Sequence, residues 1–264
     1  MHLLFPASPF NRREPDEFVR DQCEVFKNSG YGWSLIVIES LMNGGDGEII
    51  CPIPAGATVL YRGWMLSEVE YAGLFAAVTK CGATMLVDLN QYLAAHHLPN
   101  WYHRITEFTP ETVVMAVDDA TPEAAAALDW PGFFIKDYVK SLKTSVGSRI
   151  TDAKVVPTVL EEMRRFRGNI EGGVCFRRIE DFEPDSEQRY FVLDGVPHAS
   201  EREATIPDLV FEAAARIESP FISIDVARRT DGMLRIVEIG DGQVSDLVGW
   251  TAERFAELWM DQRS

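Results

Sequence analysis

Short apolar runs and helical periodicity alternate along the first 120 residues. Apolar runs predict strands, whereas apolar residues three or four apart predict helices. Strands are expected at 1–5, 34–41, 59–63, 84–89 and 112–117, and helices at 15–29, 68–81 and 90–97. The helix at 68–81 has clear limits, because Ser67 and Glu70 form a capping box and Gly82 follows its end. Strands that alternate with helices indicate an open, mostly parallel sheet.

The second half of the chain is richer in strands. Strands are expected at 133–141, 172–179, 189–195, 221–229 and 234–240. Helices are expected at 206–217 and 251–260, and a third helix is expected to begin at a cap formed by Thr158 and Glu161 and to end near Arg167. The Asp194-Gly195 and Asp231-Gly232 pairs predict tight turns between antiparallel strands. The predicted fold class is therefore α/β followed by α+β, and the character of the chain changes within residues 107–132.

The composition excludes some classes of protein. The net charge of −16 argues against general nucleic-acid binding and against binding to membrane surfaces, because both need clustered positive charge. No apolar run approaches the ~18 residues that a membrane span needs. Pro6 interrupts the apolar run at the start of the chain, so no signal peptide is expected. The cysteines (Cys23, Cys51, Cys81 and Cys175) are scattered, which favours a reducing cytoplasm.

Three carboxylates lie close together in sequence near the end of the chain. Asp225 ends the run FISID, and Glu238 and Asp241 follow in RIVEIGDG on the next predicted strand. Neighbouring strands can bring such side chains to one point, where Mg²⁺ finds the oxygen ligands that it prefers. The alternative is a strand whose polar face simply meets solvent.

A group of basic residues precedes these carboxylates. Its members are Lys136, Lys140, Lys143, Arg177 and Arg189, and the loop SVGSR, with Ser148, lies among them. Lys136 and Lys140 share a strand face because an even number of residues separates them. Lysine and forked arginine side chains suit a polyphosphate, and the backbone N–H groups of the loop can cover phosphates. The alternative for each residue is an exposed surface charge.

The order of these motifs resembles that of the ATP-grasp superfamily. The matching segments are FFIKDYVKS, TSVGSR, GVCFRRI, EQRYFVLDG and ISIDVARRTDGMLRIVEIGDGQ, within roughly residues 110–260. The chain is most similar to a clade marked by two arginines and a lysine, which correspond to Arg177, Arg189 and Lys136. The resemblance implies a pre-ATP-grasp-like open sheet over 1–110 and a two-lobed ATP-grasp domain over 111–264.

The resemblance also implies ATP as a cofactor. Lys136 would contact its phosphates or adenine, with Arg177 against ATP or the acyl substrate and Arg189 beside the γ-phosphate. Lys140 or Lys143 would replace a lysine that many members carry further upstream. Ser148 would bind phosphate from the glycine loop.

Magnesium is the second cofactor that the resemblance implies. Asp225 and Glu238 would hold the ion, while Asp241 stands where many members have asparagine. Phosphoryl transfer to a carboxylate needs charge neutralisation but no protein nucleophile. The sequence accordingly shows no G-x-S-x-G elbow.

These observations predict an ATP- and Mg²⁺-dependent ligase that joins a carboxylate to an amine on an amino acid, a peptide or a similar small molecule. Arg62, Trp64, Asp88 and His103 are expected to help build the acceptor pocket. The alternatives are a kinase or nucleotidyl transferase at the same ATP site and a non-catalytic binding module. The oligomeric state stays open, with a homodimer among the alternatives.

Overall fold

The structure, a computed structural model, describes residues 1–139, 149–167 and 170–260. Its strands are β1 His2–Pro6, β2 Gly32–Val37, β3 Glu48–Ile50, β4 Thr58–Tyr61, β5 Thr84–Met85, β6 Thr112–Met115, β7 Phe133–Lys136, β8 Val174–Arg178, β9 Gln188–Leu193, β10 Val196–His198, β11 Phe221–Arg228 and β12 Leu234–Asp241. Its helices are α1 Arg20–Asn28, α2 Glu68–Lys80, α3 Leu89–His96, α4 Leu98–Tyr102, α5 Pro122–Ala126, α6 Val156–Arg167, α7 Asp208–Ala214 and α8 Ala252–Met260. The alternation of strands and helices in the first half is the predicted one.

The first sheet has the strand order β3-β2-β1-β4-β5. Strand β1 pairs in parallel with β2 and β4, and β4 pairs in parallel with β5, whereas β3 runs antiparallel at the edge. The prediction of an open, mostly parallel sheet is therefore confirmed. Strand β2 ends earlier than the apolar run predicts, because a 3-10 turn begins at Ile38.

Helix α2 follows its local signals closely. Ser67 Oγ accepts from Glu70 N, and the Glu70 carboxylate accepts from Ser67 N, so the predicted capping box is present. Each side chain satisfies an N–H group that the first helical turn leaves without a backbone partner.

The second sheet has the order β6-β8-β7, and both pairs are antiparallel. One of its faces packs on α6 through a cluster that includes Ile135, Phe176 and Met163. The predicted cap of α6 at Thr158 is wrong, because the helix begins at Val156. Asp152 instead caps a 3-10 turn at Ala153–Val155 that leads directly into the helix, so Thr158 lies within the helix.

The third sheet has the order β10-β9-β11-β12. Asp194 and Gly195 both have positive φ, 50° and 79°, in the tight turn between β9 and β10, where Leu193 pairs with Val196. Gly232 has φ 88° in the turn from β11 to β12. Both Asp-Gly turns that the sequence predicted are therefore present.

The chain divides into two compact units that are not contiguous in sequence. Unit 1 contains Met1–Ala95, Gln188–Ile224 and Gly240–Ser264, and unit 2 contains His96–Glu187 and Asp225–Ile239. The expected domains, 1–110 and 111–264, stay a prediction. Among the described residues, no helix is long and apolar enough to cross a membrane.

Candidate functional site

Two of the predicted basic residues share one face of the second sheet. Lys136 of β7 lies opposite Cys175 of β8, and Phe134 lies opposite Arg177. Residues directly opposite each other point to the same face, and so do residues two apart in a strand. Lys136, Cys175 and Arg177 therefore lie on the face that is turned away from the core beneath α6.

Lys136 is a buried cation, with only 4% of its surface exposed. Within the part of the chain that the structure describes, no carboxylate lies within ion-pair distance of its Nζ atom. Burial raises the pKa of the neighbouring Cys175 thiol to about 12, although Lys136 acts in the opposite direction. A buried ammonium group is costly unless it meets an anion, so this position suits a negatively charged ligand.

Arg177 is also buried, but most of its donors are engaged within unit 2. Nη1 donates to Val237 O, and Nη2 donates to Ile236 O and to Thr109 Oγ1. The guanidinium lies 5.8 Å from the centre of the Trp101 ring. Burial lowers the pKa of Arg177 to about 10, and the nearby carboxylate of Glu238 opposes that shift. Only Nε is buried without a hydrogen-bond partner among the described residues.

Strand β12 is irregular beside this guanidinium. Successive carbonyls of a regular strand point to opposite sides, yet Ile236 O and Val237 O both face Arg177. The buried positions Ile236 and Ile239 are three residues apart rather than two or four. From these two departures from regular alternation we infer a β-bulge within β12. Because of the bulge, Ile239 takes the place on the buried face that regular alternation would give to Glu238.

The two carboxylates expected to bind magnesium lie on neighbouring strands. Asp225 of β11 is buried, whereas Glu238 of β12 is half-buried. The described residues contain no group of three or more His, Cys, Asp or Glu side chains that could hold a metal ion. Magnesium is commonly bound by one or two carboxylates together with water and substrate phosphates. Asp225 and Glu238 therefore fit the carboxylate share of a magnesium–phosphate complex, and Glu238 lies near the buried guanidinium of Arg177.

Asp241 is part of a buried network of unit 1. Its Oδ1 atom accepts from the backbone N–H and the side-chain amide of Gln243. That amide also donates to Tyr71 Oη. Its Oδ2 atom has no hydrogen-bond partner among the described residues. Burial raises the pKa of Asp241 to about 7 against the opposing effects of Gln243 and Arg62. Its assignment as a third metal ligand stays a prediction.

Arg62 has structural partners within unit 1. The sequence predicts a residue that lines an acceptor pocket, but Arg62 is buried and donates to Gln22 Oε1, Gly242 O and Ser245 O. A lone arginine in the apolar run VLYRG was the available signal that it needed buried partners. The other expected pocket residues differ: Trp64 is half-exposed, Asp88 caps Gln91 N, and His103 Nδ1 lies 3.1 Å from Pro99 O.

Of the four other residues predicted to contact ATP, the structure describes only Arg189. Arg189 lies in β9 within unit 1, where Nη1 donates to Asp246 O and its own carbonyl accepts from Trp250 Nε1. Lys140, Lys143 and Ser148 lie outside the described residues. The roles of these four residues toward ATP stay predictions.

A family model decides which family the chain is part of. The model is that of the ATP-grasp domain, family 3 of the clade named for two arginines and a lysine, and it matches residues 107–259, more than half of the chain. The chain belongs to this ATP-grasp family. The resemblance inferred from the sequence motifs is thereby confirmed. A search of curated proteins finds no match.

Several solved structures match nearly the full length of the chain. D-cycloserine synthetase DcsG is 14% identical with a TM-score of 0.65, and all of both chains is covered. The ATP-grasp ligase PsnB, complexed with a minimal precursor, is 14% identical with a TM-score of 0.61 and 99% of each chain covered. The D-alanine-D-alanine ligase of Coxiella burnetii is 13% identical with a TM-score of 0.63, covering 100% of this chain and 98% of that one. At this identity the likeness establishes the fold, as the sequence predicted.

Proposed function

We propose that this ATP-grasp protein is an ATP- and Mg²⁺-dependent ligase that joins a carboxylate to an amine through an acylphosphate and releases ADP. The observation that carries the proposal is the sheet face shared by the buried cations Lys136 and Arg177, with the carboxylate of Glu238 near the second. Two cations with a carboxylate nearby match the alternating charges of a magnesium–polyphosphate complex.

The cationic face acts on the nucleotide by binding and orientation. Lys136 holds a phosphate oxygen from a strand whose neighbouring residue, Ile135, is anchored in the core. A rigid base leaves the ammonium group little freedom, so less entropy is lost when the ligand binds. Arg177 Nε, a buried donor without a partner among the described residues, keeps the same face electropositive.

Asp225 and Glu238 are the proposed magnesium ligands. When bound, the ion neutralises charge on the phosphate oxygens and so lowers the barrier to attack by an anionic carboxylate. Burial of Asp225 limits its contact with water, which strengthens its attraction to a cation. Arg189 is proposed to stabilise the transferring phosphoryl group, in line with the family motif.

The substrate class is proposed from the chemistry and from the related structures. An acylphosphate needs no protein nucleophile, because the incoming amine attacks it directly. The similar structures include a D-alanine-D-alanine ligase and a ligase complexed with a precursor peptide. We therefore propose an amino acid, a peptide or a similar small molecule as the carboxylate, and a primary amine as the acceptor. The four cysteines are free, which supports a cytoplasmic location.

The test is a screen of carboxylic acids and amines for nucleotide cleavage and coupled product. Amine-dependent release of ADP together with an amide product is expected. Release of AMP would favour a nucleotidyl transferase, a phosphorylated product without amide would favour a kinase, and no affinity for ATP would favour a binding module.

Glu238→Gln supplies the matched inactive variant, because it keeps the shape of the side chain and removes its charge. Turnover should fall at least about a hundredfold, since the ion would lose one of its two protein ligands. An unchanged melting temperature would show that the fold is intact. Wild-type turnover in this variant would disprove the metal assignment.

A further inference from the structure

The donors of Arg177 are directed at the backbone of β12 rather than at open space. Its two terminal nitrogens donate to Ile236 O, Val237 O and Thr109 Oγ1. An arginine that binds phosphate through both terminal nitrogens would need those donors free. The contacts therefore give Arg177 a different task from the one expected of a motif arginine.

The segment before β6 takes part in the same arrangement. Ile236 N donates to Phe108 O, and Thr109 Oγ1 donates to Ile236 O. Arg235 Nη1 donates to Glu107 O, and its Nη2 donates to Thr109 O. Residues 107–109 are thus fixed along β12 immediately before the bulge, and Arg177 closes this arrangement through the Thr109 hydroxyl.

We propose that Arg177 is a positioning residue, whose guanidinium holds the β12 bulge that turns Glu238 off the buried face. Regular alternation from Ile236 would place Glu238 on that face, where an unpaired carboxylate is costly. Val237 O accepts from Arg177, and Ile236 O accepts from both Arg177 and Thr109, so the guanidinium bridges the two carbonyls. The consequence for metal binding rests on the proposed function, whereas the effect on β12 does not.

Arg177→Lys tests the proposal, because one ammonium group cannot serve two carbonyls and a hydroxyl in the same geometry. Hydrogen exchange at the amides of 237–239 should become at least about tenfold faster, since hydrogen bonds from a charged donor are lost. Calorimetry in the presence of ADP should show that the Mg²⁺ affinity is reduced about tenfold. The affinity for ADP, measured in EDTA, should change less than about twofold. Arg178→Lys is the matched control: Arg178 follows on the same strand, is exposed and pairs with Glu111.

The outcomes separate the proposal from its alternatives. Unchanged exchange at 237–239 in a folded Arg177→Lys protein would overturn it. Weaker ADP binding in EDTA with unchanged Mg²⁺ affinity would also overturn it, because Arg177 would then contact the nucleotide directly. If Glu238→Gln keeps wild-type Mg²⁺ affinity, the metal assignment under the proposed function fails, and exchange alone decides the role of Arg177.

A milder variant covers the case in which Arg177→Lys does not fold. Thr109→Val keeps the side-chain shape and removes the hydroxyl that links Arg177 to Ile236 O. Exchange at 237–239 should then rise about threefold or more while the rest of β12 keeps its protection. Protection equal to that of the wild-type protein would overturn the proposal.

Discussion

Two buried arginines, one in each compact unit, use their guanidinium groups in a similar way. In unit 1, Arg62 donates to Gly242 O and Ser245 O just after β12, and it lies 4.4 Å from the centre of the Phe255 ring. In unit 2, Arg177 donates to two carbonyls within β12 and lies over Trp101. Each arginine therefore fixes backbone that does not follow regular strand geometry.

The two arginines differ in the partner of their Nε atom and in the burial of the nearby carboxylate. Arg62 Nε donates to Gln22 Oε1, whereas Arg177 Nε has no partner among the described residues. Burial lowers the pKa of Arg62 to about 9, and the fully buried Asp241 opposes that shift. Beside Arg177 the corresponding carboxylate is Glu238, which is half-buried. Arg62 thus belongs to a closed structural network, whereas Arg177 keeps one buried donor without a partner among the described residues.

Replacing Arg62 should give the largest effect and should act on stability. Arg62→Gln leaves two carbonyls without their donor and removes the cation that interacts with Asp241. Breaking one partner of a buried charged network typically costs about 3–5 kcal/mol. Denaturant unfolding measures this loss, with the exposed Arg13→Gln as control. If the variant keeps near-normal stability but loses turnover, Arg62 is a functional residue rather than a structural one.

Replacing Lys136 should affect ligand binding rather than stability. Lys136→Ala removes a buried ammonium group from the face that Arg177 shares, so ATP affinity should fall about ten- to hundredfold, or roughly 1.5–3 kcal/mol. Calorimetry measures the affinity, and the exposed Lys154→Ala serves as control in the same unit. Unchanged affinity would remove Lys136 from the site and leave its burial without a functional reason.

Replacing Arg189 tests whether unit 1 also contributes to phosphoryl transfer. Arg189→Lys should lower the rate of ADP release about tenfold or more while ATP affinity changes little, because an ammonium cannot reproduce a bidentate fork in the transition state. Steady-state kinetics with a thermal melt as control make the measurement. Near-normal turnover would remove Arg189 from the phosphoryl-transfer step.

The smallest expected effect is a change in pH dependence at Asp241. Burial raises its pKa to about 7, so the folded protein keeps a proton that the unfolded chain has already released. The stabilisation is therefore present at low pH and is lost as the pH rises through about 7. Relative to Asp241→Asn, the wild-type protein should gain about 1 kcal/mol between pH 8 and pH 6.

His96 makes the comparison with Asp241→Asn necessary. Burial lowers the pKa of His96 to about 3, so the unfolded chain binds a proton first and stability is lost as the pH falls below about 6.5. This opposes the effect of Asp241 in the same window, but it is present in both proteins and cancels in their difference. Identical pH profiles of the two melting temperatures would contradict the buried, proton-holding state of Asp241.

Local signals allowed much of the fold to be predicted from the sequence. The capping box at Ser67 and Glu70, the alternating elements of the first sheet and the turns at Asp194 and Asp231 depend on residues a few positions apart. The start of α6 was misjudged because Thr158 and Glu161 imitate a cap, whereas Asp152 provides one earlier. The order of motifs was enough to predict the ATP-grasp family.

The partners of the charged residues were decided by tertiary structure alone. The sequence placed arginine and lysine in apolar strands and so determined that buried charges would need partners. The register of β7 on β8 decided that Lys136 and Arg177 share a face, and contacts far apart in the chain decided which donors are engaged. Whether a buried cation stabilises backbone or receives a ligand depends on the acceptors within about 3 Å of it, and these come from residues distant in sequence.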